Sequence, residues 1–169
     1  MKGTPDMKHP MLLLCFCCAS LLTACASSPP LPPVGPAPGP QTLAPPGEGV
    51  LVVYSAWSCF DNYLTADHSG YNIYSNDGKL VKWVPNFIEG DWTVEPPTRV
   101  HLPAGSYTIK AEGGIYGWVY VPVVIKCDQT TPVYLDDENH PIASMASMNN
   151  VVKLPDGEIV GWAANPGTN

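Results

Sequence analysis

Basic residues are scarce in this chain. Lysine and arginine together number 8 against 15 aspartates and glutamates, for a net charge of −7, and Arg99 is the single arginine. Nucleic-acid binding needs a basic patch to displace phosphate counterions, so this balance argues against a nucleic-acid partner. It argues equally against electrostatic docking on anionic lipid. Helical periodicity is missing too: between Gly49 and Leu135 apolar residues do not recur at 3.6-residue spacing over any stretch of useful length. No G-x-S-x-G elbow is present, so a serine nucleophile of that type has no support. His68, His101 and His140 stand far apart, in "ADHSG", at an outward strand position and in "ENHP", and read as surface residues rather than a metal or catalytic set. The acidic "DDENH" (Asp136 to His140) lacks the Asp-x-Asp-x-Asp-Gly spacing of a calcium loop and reads as a solvated loop. No catalytic residue, metal or other cofactor is assigned.

What is present begins at the N-terminus. Lys2 and Lys8 precede the apolar run "MLLLCFCCASLL" (Met11 to Leu22), which is too short to span a bilayer comfortably. A charged start followed by such a run is the layout of a secretory signal, here residues 1–24. The run ends in "LTAC", Leu22 to Cys25, before serines and prolines take over. This tetrad resembles the lipobox of bacterial lipoproteins. The resemblance implies that a signal peptidase cuts before Cys25 and that Cys25 carries lipid. Ala26 is not the aspartate that commonly retains such proteins in the inner membrane, so the resemblance points to the outer membrane of a diderm bacterium. The membrane is then a partner through the acyl chains on Cys25, each buried methylene contributing roughly 0.8 kcal/mol.

Of the 6 cysteines, Cys15, Cys17 and Cys18 would leave with the signal. Cys59 and Cys127 remain for the folded part, without a Cys-x-x-Cys or Cys/His spacing that suggests zinc. In an oxidising envelope compartment they are a candidate disulfide, with two separate buried thiols as the alternative.

From Pro29 to Gly47, 9 of 19 residues are proline. Proline lacks the amide proton and fixes φ, so residues 25–48 are expected to form an extended, disordered tether rather than a helix or sheet ladder. The texture then changes. "GVLVVYSA" (Gly49 to Ala56) suits a well-buried strand, and "GYNIYS-NDG-KLVKWV" (Gly70 to Val84) is a hairpin pattern around a tight turn. "TRVHL" and "SYTIKAE", joined by "PAG" (Pro103 to Gly105), read as a second hairpin. "WVYVPVVIK" (Trp118 to Lys126) places Val119, Val121, Val123 and Ile125 on one face, and Pro122 marks it as an edge strand or a bulge. "TTPVYL" (Thr130 to Leu135) is the next strand, and "VVKLPDGEIVGW" (Val151 to Trp162) a C-terminal hairpin. Seven short strands with turns between them predict an all-β sandwich over residues 49–138, and residues 139–169 an extension.

The segment "VHLPAGSYTIKAEGGIYGWVYVPVVIKCDQTTPVYL" resembles the end of prealbumin-like domains, the group containing the carboxypeptidase regulatory-like, PEGA and Cna-B sandwiches. The resemblance implies a transthyretin-like antiparallel β-sandwich, a fold commonly used for stalks, spacers and ligand-presenting modules. Two chemistries of that group do not carry over. No lysine occurs between Lys8 and Lys79 to start an isopeptide bond, and the chain ends "NPGTN" rather than Tyr-Arg-Gly-Ser. The expected function is therefore non-catalytic, structural or protein-binding at the envelope. A carbohydrate-binding module is the alternative, with Trp57, Trp92, Tyr116 and Trp118 as the stacking rings, and an envelope hydrolase comes third. The partner is an unidentified envelope protein or glycan.

Overall fold

Alternation of β-branched and polar residues becomes strands nearly everywhere it occurs. The computed structural model describes residues 30–59, 66–86, 96–136 and 149–164. The signal segment, Cys25, Trp92 and His140 lie outside the described residues. The strands are β1 (Val34–Gly35), β2 (Glu48–Tyr54), β3 (Trp57–Cys59), β4 (Ala66–His68), β5 (Tyr71–Ser75), β6 (Leu80–Val84), β7 (Arg99–Pro103) and β8 (Gly105–Glu112). After a short 3-10 turn at Gly114–Tyr116 come β9 (Trp118–Ile125), β10 (Thr130–Tyr134), β11 (Val151–Lys153) and β12 (Ile159–Ala163). Among the described residues no helix is long and apolar enough to cross a membrane.

Two sheets face each other. The larger has the order β11-β12-β1-β9-β8-β5-β6, the smaller β10-β2-β7, and β3-β4 form a separate ribbon. The core between the sheets takes Leu51 and Val53 of β2, Val133 of β10, and Ile73, Ile109, Val121 and Val123 of the larger sheet, all essentially inaccessible to solvent. Each such side chain contributes roughly 1.5 to 3 kcal/mol by leaving water. The all-β sandwich expected from the sequence is thus the observed fold. Most pairings are antiparallel, as expected. Two are not: β10 runs parallel to β2 over five residue pairs, and β1 runs parallel to β9 at Val34 and Val123.

The β5–β6 hairpin forms as the sequence predicts, closed by Ser75 N–H donating to the Lys79 carbonyl at 2.9 Å. Gly78 takes φ +79 in the turn, where a Cβ would be strained. The second expected hairpin does not form. β7 pairs with β2 in the smaller sheet, while β8 pairs with β5 and β9 in the larger one. "PAG" is therefore a corner at which the chain changes sheets, held by Ala104 N–H donating to the Gly47 carbonyl at 3.0 Å. Both strands bury one face against the same core from opposite sides, so their alternation is identical to that of a hairpin.

The proline-rich segment departs from the expected tether. Val34 is completely buried, and β1 sits between β9 and β12, with Val34 opposite Ala163 and Gly35 opposite Trp162. Gly161 makes room for it, since a Cβ there would come within 2.7 Å of Val34 Cγ1. Ala37 N–H donates to the Thr130 carbonyl and Thr42 N–H to the Asp128 carbonyl, so the chain from 36 to 47 is strapped across the end of the sandwich. Proline excludes a long ladder, and β1 obeys that by using two non-proline residues.

Pro122 lies in a strand that is interior by order, but β1 touches β9 only at Val123, so the opposite flank of Pro122 needs no long ladder. Its register with β8 runs without a bulge. The C-terminal hairpin is no appendage: β11 and β12 complete one edge of the larger sheet.

Candidate binding face

The outward face of the larger sheet is set by the residues that point inward. Tyr71, Ile73, Val84, Ile109, Ala111, Val121 and Val123 are buried, so their chain neighbours Asn72, Trp83, Lys110 and Tyr120 face out. The register then aligns these four. Trp83 of β6 stands opposite Asn72 of β5, Asn72 opposite Lys110 of β8, and Lys110 opposite Tyr120 of β9. At a strand spacing of about 4.8 Å, the row from Trp83 to Tyr120 is about 14 Å long. Trp118 lies on the same face two residues before Tyr120, opposite Glu112. Trp83, Trp118 and Tyr120 are 59%, 55% and 57% exposed, unusually open for rings of this size.

Lys110 is framed by the two β9 rings, its Nζ 5.3 Å from the Trp118 centroid and 5.4 Å from that of Tyr120. Such contacts are worth about 0.5 to 1 kcal/mol each at exposed sites and orient the ammonium without removing its donors. The face thus combines flat apolar rings with an amide and an ammonium placed between them. Rings can stack on the C–H faces of sugars while the polar pair donates to hydroxyls.

A second cluster lies at the end of the sandwich where β2 and β10 finish. Tyr54 and Tyr134, register partners, stack at 4.9 Å, and Trp162 meets Tyr134 edge-on at 6.2 Å. Trp57 stacks on His68 at 4.2 Å, and Tyr54 meets the same imidazole edge-on at 5.8 Å. His68 is buried, and its Nδ1 lies 2.7 Å from the Ser55 carbonyl. A carbonyl only accepts, so Nδ1 carries the proton. Buried Asn86 donates to the Val53 carbonyl at 3.0 Å and to Ser55 Oγ at 2.9 Å, and its Oδ1 accepts from Thr98 N–H at 3.0 Å. Burial pushes the Tyr134 phenol up to about 12, helped by Tyr54 and Asp136; burial and then Asp136 raise Tyr54, with Arg99 partly opposing. These contacts tie strand ends together. The adjacent cleft is lined by Val52, Tyr54, Pro96, Pro97, Thr98 and Arg99, with no carboxylate or histidine among the described lining residues.

The residues expected from sequence therefore divide. Trp118 is on the open face. Trp57 is engaged with His68, and Tyr116 is partly buried against the core, so neither is a free platform. His68 is a buried packing residue rather than a surface one, His101 is exposed on β7, and among the described residues no three His, Cys, Asp or Glu side chains gather to hold a metal. Cys127 is a free, exposed thiol in the turn after β9. The side chain of Cys59, its candidate partner, lies outside the described residues. Trp83, Tyr120, Lys110 and Asn72 were not singled out from sequence. The signal for Tyr120 was parity: it alternates with Val119 and Val121, which the sequence places on the opposite face.

Compared with protein-family models, curated proteins and solved structures, this chain finds no match.

Proposed function

We propose that this chain is a non-catalytic binding module of a bacterial envelope, anchored by lipid on Cys25 and presenting the open face of its larger sheet to carbohydrate. The observation that carries the ligand class is the cross-strand row of Trp83, Asn72, Lys110 and Tyr120, with Trp118 beside it. Aromatic rings left open on a rigid sheet cost little entropy to use, because the strands already fix their positions. The lipobox-like "LTAC" behind an apolar run supports the anchor, and Ala26 supports an outer-membrane address. The likeness to prealbumin-like modules supports a presenting rather than a catalytic role.

The test is electrophoresis of the detergent-solubilised protein through gels containing single envelope polysaccharides. Retardation by at least one polymer, abolished by Trp83→Ala with Tyr120→Ala, is the expected result. Equal mobility in every gel would remove carbohydrate as the ligand.

One feature favours a protein partner as the second reading. Among the described strands β6 is the outermost of the larger sheet, and it exposes Leu80, Val81 and Trp83. An open edge of this kind can take an added strand from another protein. Substituting Val81→Pro would block strand addition while leaving the ring face intact, which separates the two readings.

A further inference from the structure

We infer that the tip between β8 and β9, carrying Ile115, rests in the interfacial region of the same bilayer that holds the Cys25 lipid. The inference rests on the proposed lipidation of Cys25 and adds where the sandwich sits.

The first observation is the length of the leash. The proline-rich segment is strapped onto the sandwich, and Leu31, six residues after Cys25, packs against the core. Six residues reach at most about 22 Å even fully extended. The anchored domain is therefore held against the membrane rather than several nanometres above it.

The second observation is direction. β1 runs parallel to β9, and Val34 stands opposite Val123, five positions along from Trp118. Leu31 packs against the core, so the chain enters β1 from the end of the sheet at which Trp118 starts β9. That is the end capped by the Gly114–Tyr116 turn. The lipid and the tip consequently lie toward the same end of the sandwich.

The third observation is the chemistry of the tip. Ile115 is 86% exposed, although it is an aliphatic side chain next to Tyr116, which packs against the core. The turn is closed by Gly113 N–H donating to the Gly117 carbonyl at 2.7 Å and Tyr116 N–H donating to the Gly113 carbonyl at 2.8 Å. Tyr116 packs inward, so Ile115 is held out on a fixed turn. Residues 113 to 117 carry no charge, and Trp118 follows immediately. An uncharged turn with an aliphatic side chain at its apex matches the acyl–headgroup boundary of a bilayer. The row from Trp83 to Tyr120 runs across the sheet and remains open to a ligand beside the membrane.

The experiment uses the full lipidated chain in phosphatidylethanolamine–phosphatidylglycerol vesicles, with Cys59→Ser and Cys127→Ser so that the introduced cysteine alone takes the label. A nitroxide is attached through Ile115→Cys, or through Asn76→Cys at the exposed β5–β6 turn of the opposite end. Mass spectrometry reports whether Cys25 is acylated in each sample. The expected result is that the label at 115 loses access to a water-soluble paramagnetic chelate and gains access to oxygen, while the label at 76 does the reverse. Equal access at both positions with Cys25 acylated would overturn the inference and leave the anchor standing. Shielding of position 115 in a lipid-free Cys25→Ala protein, growing with protein concentration, would assign the tip to a second copy and also overturn it. Absence of acyl chains on Cys25 would refute the anchor and the inference together.

Discussion

Lys110 and Trp118 sit on adjacent strands with the ammonium 5.3 Å from the indole centre, on a sheet face otherwise occupied by Trp83, Asn72 and Tyr120. The pairing makes the lysine part of an aromatic surface rather than of an ion pair. Removing its charge therefore tests recognition more than folding. Lys110→Met should keep the melting temperature within a few degrees and weaken polysaccharide binding about tenfold, the ~1.4 kcal/mol of one charged hydrogen bond. Calorimetric melting and a binding titration on the same sample check both halves.

Val34 gives the strap its grip. Val34→Asp places an unpaired carboxylate among Val123, Val160 and the rest of the core and should cost about 3 to 5 kcal/mol. Gly161→Ala should act in the same direction by pushing on Val34 Cγ1. Urea midpoints read both. An unfastened spacer would tolerate the aspartate without any change.

Asn86 joins three elements through its amide, and its backbone adopts φ +63. Asn86→Ala leaves a buried carbonyl and amide without partners and should destabilise by about 2 to 4 kcal/mol. Hydrogen exchange should quicken first at Thr98, whose N–H loses its acceptor.

Alkaline pH should unfold the protein early. A tyrosine raised above 10 in the folded state stays neutral there while the unfolded chain ionises. Above pH 10 the unfolded state then binds fewer protons, so stability is complete below that value and falls as pH rises toward the Tyr134 value of about 12. Tyr134→Phe should flatten that decline between about pH 10 and pH 11.5, measured by urea unfolding across the range.

Cys127 should react stoichiometrically with maleimide in the folded protein, because its thiol is free and exposed. Loss of that reactivity in oxidised material, restored by reductant, would contradict the open turn.

Much of this fold could be read from alternation and turn residues, and the failures share one cause. "GYNIYSNDGKLVKWV" contains both strands and the turn that pairs them, so its hairpin is local and legible. "TRVHLPAGSYTIKAE" has the same texture, but its two halves pair with Gly49 to Val52 and with Asn72 to Ser75, both distant in sequence. Alternation reports which side chains are buried and says nothing of which strand lies alongside. Val34 was hidden by the prolines around it, since two residues cannot display a period. The open face was legible in part: the valines of β9 fixed the inner parity, and Trp118 and Tyr120 were its complement. Trp83 and Lys110 joined them only through register. Trp57 was withdrawn by His68, a long-range contact that composition does not reveal.

The central claim is that the row from Trp83 to Tyr120, with Trp118, is the ligand surface. It is tested most directly by oxidising exposed tryptophans with N-bromosuccinimide, with and without a retarding polysaccharide, and mapping the oxidised residues by mass spectrometry. The account predicts that Trp83 and Trp118 are oxidised in the free protein and protected together as the polysaccharide saturates. Saturable binding that leaves both tryptophans as reactive as before would contradict it.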